Sequence, residues 1–278
     1  MEKGIELQSL SGRVARPPSA RLALPSGKAL RRLLLPSGLL LLWQGITALG
    51  IFERGQLPGP LDVLAACWEM ASTNRLAPHI LVSLSRVLTG FVIGSTLAIA
   101  IGLLVGLSRR FEEVLAPTLQ AIRAIPSLAW VPLLVLWMGV DEGPKITLVA
   151  IGAFFPVYTN LVGGVRQIDR KLVEVGYAYG LRGPALVRQV MLPASLPSLL
   201  TGLRMGLAQS WLFLVAAELI AASRGLGFLL IDSQNTGRAD IIVMSIVLLA
   251  LLGKATDSLL QALEHRLLRW TDTFRGGP

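Results

Sequence analysis

The chain has 278 residues, 53% of them hydrophobic and 15% charged, with a mean hydropathy of +0.63, whereas a soluble domain carries about 25% charged residues. Its single cysteine, Cys67, excludes an intrachain disulfide and any multi-cysteine metal site, and His79 and His265 lie far apart and outside any ligand-spaced motif, so no metal centre is expected. The net charge of +9 fits basic loops retained on the cytoplasmic side of a membrane better than nucleic-acid binding, because Lys and Arg resist translocation.

Residues 1–32 carry seven bases (Lys3, Arg13, Arg16, Arg21, Lys28, Arg31, Arg32) among Pro17, Pro18 and Pro25, and read as a flexible basic arm. The apolar run that follows continues to Phe52, and residues 33–57 read as a first transmembrane helix with its outer loop. A cleaved signal peptide is the rival reading. No A-x-A site follows the run, which favours a retained helix. Residues 87–107 contain no charge at all, and at about 1.5 Å per residue they span a hydrocarbon core of about 30 Å.

Six spans fall near 33–52, 86–107, 117–140, 146–165, 199–222 and 241–261, which predicts an all-α polytopic membrane protein surrounded by lipid. The third is interrupted by Arg123 and Pro126, and a kink or break is expected there. With the N-terminus inside, seventeen bases lie in cytoplasmic segments and five in outer loops, which predicts both termini inside. The second span repeats small residues every fourth position: Gly90, Gly94, Ala98, Gly102 and Gly106. Gly202 and Gly206 repeat the spacing in the fifth span. Such ridges admit a neighbouring helix closely, either at a subunit seam or inside one bundle.

The cytoplasmic loop 166–198 reads as two short helices around a turn. Asp169 caps the first, which ends at Gly180. Gly183 and Pro184 open the second, where Leu186, Val187, Val190 and Met191 form an apolar stripe, and Pro193 and Pro197 are expected to stop it. A short exposed helix with a few apolar anchors suits docking into a groove on a soluble partner.

Glu174, Gly180, Val190, Leu192 and Pro193 match the spacing of the E-A-A-x3-G-x9-I-x-L-P signature of binding-protein-dependent ABC importer permeases, with Val175, Gly176 and Val190 as departures. The resemblance covers residues 58–270, the expected permease domain, and leaves out the arm and the tail 271–278. Arg123-Ala124-Ile125-Pro126, Leu136-Trp137-Met138-Gly139 and Phe155-Pro156-Val157-Tyr158 resemble the nitrate/sulfonate/taurine group. Tyr179-Gly180-Leu181 and Ala217-Glu218 are most similar to the aliphatic-sulfonate permeases.

The resemblance implies a type I importer fold in the bacterial inner membrane and a homodimer that docks ATPase subunits through residues 174–193. It also implies a periplasmic substrate-binding protein and ATP with magnesium bound on the partner ATPase, so that this chain has no cofactor and no catalytic residues of its own. Nitrate, taurine or a pyrimidine precursor are the alternative cargoes. Independently of the resemblance, the chain lacks a G-x-x-x-x-G-K-[ST] phosphate loop.

Charges inside a membrane suggest function or structural pairing. Arg123, Arg204 and Glu218 are the candidates, with a structural pair or an Arg204 reaching the interface as the simpler reading. A secondary transporter would call for paired carboxylates or inverted repeats at mid-membrane, and Glu218 alone is available by sequence. A membrane scaffold would have no use for the two-helix loop.

Overall fold

The computed structural model describes residues 27–50 and 55–270, and every regular element among them is helical. Residues 1–26 of the arm expected over 1–32, residues 51–54 of the expected first outer loop and the tail 271–278 lie outside the described residues. The helices are α1 (Gly27–Ala48), α2 (Pro60–Ser72), α3 (Leu76–Leu107), α4 (Arg109–Ala124), α5 (Trp130–Met138), α6 (Glu142–Arg166), α7 (Arg170–Ala178), α8 (Pro184–Leu186), α9 (Leu192–Ala221), α10 (Leu226–Asn235) and α11 (Ala239–Leu267). Among the described residues, four helical segments are long and apolar enough to cross a membrane: Leu76–Leu107, Glu142–Arg166, Pro184–Ile220 and Ala239–Leu267. A shorter apolar stretch covers Leu34–Ala48.

α6 is the central rod, held between α3 and α9. The small-residue ridge of α3 faces it: a Cβ on Gly94 would lie 2.2 Å from the Ala150 carbonyl oxygen, and one on Gly90 would lie 2.6 Å from Val149. Ala98 is fully buried in the same seam, while Gly102 and Gly106 rest on Leu161 and Val165. From the other side, a Cβ on Gly202 would meet Asn160 at 2.8 Å, and one on Gly206 the Ala153 carbonyl at 3.0 Å. Both ridges therefore pack within the chain. In lipid, where apolar surface gains little by leaving the solvent, such close contact supplies the association energy.

Three boundaries differ from the sequence expectation. α1 begins at Gly27, so the last six residues of the arm expected over 1–32 are helical. α3 begins at Leu76 rather than near residue 86, because His79, Ser83 and Arg86 recur at helical spacing and turn inward. The break expected in the third span is present: α4 ends at Ala124, Ile125 is extended at ψ 124°, and one 3₁₀ turn (Ser127–Ala129) precedes α5. This is the break that Pro126 demands.

The third difference is a correction. Pro193 and Pro197 do not stop the helix, which runs on from Pro184 to Ile220. A π turn at Val187–Met191 precedes Pro193, with the Leu192 N–H donating to the Val187 carbonyl five residues back. That wider turn accommodates a residue with no N–H and a ring that crowds the preceding turn.

α2 and α10, short helices outside the expected spans, pack with α11 around Ala66, Met70, Leu226, Leu229 and Met244. Arg238, between α10 and α11, donates to Asp240 at 2.8 Å and to Glu69 of α2 at 2.9 Å. Those carboxylates hold its guanidinium above the ordinary value.

Candidate functional site

The α7–α8 hairpin joins α6 to α9 at one end of the bundle. Asp169 caps α7 as expected, accepting from the Lys171 N–H at 2.9 Å. The Leu181 N–H donates to the Gly176 carbonyl and the Gly180 N–H to Tyr177, a Schellman closure in which Gly180 takes φ +75°. Gly176 is buried because α8 rests directly on it: a Cβ there would lie 2.5 Å from Leu186 Cδ1.

Leu186 is therefore a tie between the two short helices, 5% exposed, and not the outward anchor its stripe suggested. Val187 and Val190 are half-buried and Pro184 is exposed. The outward apolar surface is on α7 instead: Leu172, Val175, Tyr177 and Tyr179 are all exposed, Tyr179 at 83%. Glu174 stands among them and pairs with Arg170 at 2.9 Å, both exposed. A groove of about 760 Å³ runs beside this surface, lined by Val175, Tyr179, Val190, Pro193 and Trp270.

The opposite end of the bundle holds a buried ionic cluster that sequence inspection missed. Glu218 of α9, 1% exposed, accepts from Arg86 Nη1 of α3 at 2.7 Å, from the Ser83 hydroxyl at 2.8 Å and from the Gly227 N–H at 2.8 Å. Arg86, 2% exposed, also donates to both carboxylate oxygens of Glu142 at the start of α6 and to the Arg224 carbonyl at 2.7 Å. Lys145 reaches Glu142 at 3.3 Å. Four elements meet here, and Glu218 is satisfied on both oxygens. The signal that could have found the cluster is the polar face His79, Ser83, Arg86 inside an otherwise apolar helix.

The remaining candidates separate cleanly. Arg204 faces α11, donating to Asp257 at 3.1 Å and to Glu264 at 3.2 Å. Arg123, at the last turn of α4, makes no ion pair or hydrogen bond among the described residues. It lines two adjoining cavities of about 510 and 250 Å³ between α4, α6 and α9.

Residues 90–269 match the family of binding-protein-dependent transport system inner membrane components. The chain is 39% identical to a Bacillus subtilis protein assigned as the aliphatic sulfonates transport permease SsuC, over 89% of this chain and 90% of the other. It is 41% identical to the Escherichia coli protein with the same assignment, over 86% and 91% of the two chains. Among solved structures it resembles the inward-facing MetNI methionine ABC transporter, with a TM-score of 0.59 at 21% identity, over 71% of this chain and 96% of that one; this likeness bears on the fold alone. The chain thus belongs to the binding-protein-dependent transport system inner membrane components, the multi-pass permeases of ABC importers.

Proposed function

We propose that this protein is the membrane permease subunit of an importer for aliphatic sulfonates in a bacterial inner membrane. It works as a homodimer, and each copy docks one ATPase subunit that binds ATP and magnesium. A periplasmic binding protein delivers the anion. The α7–α8 hairpin is the coupling element, and the observation that carries this reading is its exposed apolar surface, Leu172, Val175, Tyr177 and Tyr179, set around Glu174. An exposed apolar patch on a rigid turn is what a soluble partner with a groove can take hold of.

The same assignment puts the hairpin in the cytoplasm and the Glu218 cluster at the periplasmic end, with six crossings and both termini inside. The third crossing is then the broken pair α4 and α5, whose 16 and 9 residues are each short for a span. Sulfonate as cargo rests on the relatives' assignments, and nitrate, taurine and a pyrimidine precursor are the competitors. Uptake of radiolabelled ethanesulfonate, taurine and nitrate by the purified complex in liposomes decides among them, and preferential uptake of nitrate would overturn the cargo. Gly180→Asp is expected to abolish ATPase co-purification and uptake together. If both survive, the hairpin is not the coupling element.

A further inference from the structure

The cations within the expected spans have different fates. Arg86 faces Glu142 and Glu218, Arg204 faces Asp257 and Glu264, and Lys254 faces Asp257 at 3.5 Å. Arg123 has no such partner among the described residues. A cation inside a membrane protein is costly and is ordinarily paired or turned toward a polar path. The two cavities beside Arg123 share Phe155 and Thr159 as walls as well. Phe155 lies in the middle of α6, about 20 Å from its first residue and about 16 Å from its last. The smaller cavity continues toward the hairpin end, where Arg166 pairs with Glu112 at 2.7 Å.

Among the described residues, the larger cavity is lined by no carboxylate. Its polar wall includes Gln209 of α9, whose amide has no hydrogen-bond partner among the described residues. Asn160 is less free, since its Nδ2 donates to the Pro156 carbonyl at 2.8 Å. The rest of the wall includes Phe213, Met205 and Ala208. A sulfonate offers three acceptor oxygens, one negative charge and no donor on an apolar stem. A guanidinium fork suits such an oxyanion bidentately, an amide N–H adds a third contact, and the apolar wall takes the stem.

We infer that Arg123 and Gln209, both exposed along this open cleft at mid-height of α6, form a station for the anionic head of the cargo, with Phe213 and Met205 receiving its alkyl portion. The identity of the anion rests on the importer reading above. The station itself requires only a small monovalent oxyanion.

The test uses the whole complex with its ATPase in inside-out membrane vesicles. In a Cys67→Ser background, Ala208→Cys places one thiol in the cavity wall, and its rate of modification by N-ethylmaleimide is followed. Millimolar ethanesulfonate is expected to slow modification when Arg123 is present and to have no effect in Arg123→Gln. In proteoliposomes, uptake by the Arg123→Gln complex, normalised to assembled complex, is expected to fall about tenfold or more, as for loss of a charge-assisted contact. Arg123→Lys is expected to recover part of both signals.

Protection that persists in Arg123→Gln, or uptake within about twofold of the unsubstituted complex, overturns the assignment. If Arg123→Gln does not assemble, Gln209→Ala reads the same protection, and undiminished protection there overturns it equally. Ethanesulfonate uptake by the unsubstituted complex reports on the cargo reading alone. Should that complex carry nitrate instead, nitrate replaces ethanesulfonate in the protection assay and Arg123 is judged on it.

Discussion

The α9–α10 turn and the α7–α8 hairpin each link helices at opposite ends of the bundle, and they are built by opposite rules. In the α9–α10 turn the backbone is bonded to buried side chains: the Leu226 N–H donates to Ser83, the Gly227 N–H to Glu218, and the Gly225 N–H to His79 at 3.1 Å. In the hairpin the backbone closes on itself through the Asp169 cap and the Gly180 turn, and the side chains of α7 are left outward. The first arrangement spends its polar groups on fixing position. The second keeps them, with four large apolar side chains, for contact with something else.

The widest separation between the two ends is expected from Glu218→Ala. It leaves Arg86 with one fewer carboxylate and strips the Gly227 N–H of its acceptor in a buried setting. Breaking a buried pair from one side costs about 3–5 kcal/mol, so thermal unfolding of the detergent-purified protein should shift down sharply. A shift no larger than that of Arg170→Ala would make the cluster incidental.

Paired glycine substitutions sharpen the contrast. Gly225 has φ +125°, and its Cβ would sit 2.3 Å from a Glu218 oxygen, whereas Gly180 has φ +75° and open space around it. Gly225→Ala adds a clash to backbone strain of about 1–3 kcal/mol; Gly180→Ala carries only the left-handed penalty of about 1–2 kcal/mol. The same unfolding measurement should rank them in that order.

Val175→Asp tests the other half of the comparison. Val175 is 52% exposed, so stability should change by no more than about 0.5 kcal/mol. Co-purification with the ATPase should weaken by about tenfold, as for a charge placed in an apolar contact. Arg170→Ala is expected to be the mildest change. Its pair with Glu174 is exposed on both sides, and such helix pairs contribute about 0.3–0.5 kcal/mol.

Much of this architecture is legible in local sequence. Uncharged runs give the long helices, Pro126 gives the break between α4 and α5, and the Asp169 and Gly180 signals bound α7. Each rests on chemistry within a turn or two of the residue concerned. Arg86 and Glu218 are 132 positions apart, and no local rule joins them. Pro193 misleads for a related reason: its effect on a helix depends on the turn before it, and the π turn at Val187–Met191 is not written in any single residue. The direction of the α8 stripe also escapes local reading, because Leu186 turns inward only where Gly176 of another helix leaves it room. The small-residue ridges are visible as spacing, but their partner α6 is not.

One consequence follows from the continuity of α8, the π turn and α9. A single helical rod of 37 residues, Pro184–Ile220, joins the hairpin to the cluster at the far end, a length of about 55 Å. A connecting rod of that length turns small angles into large travel: pivoting it by about 10° sweeps one end through about 10 Å while the other stays put. If the hairpin is the coupling element proposed above, Glu218, bonded on both oxygens near the tip of the rod, is placed as its pivot pin, and the π turn lies close to the driven end.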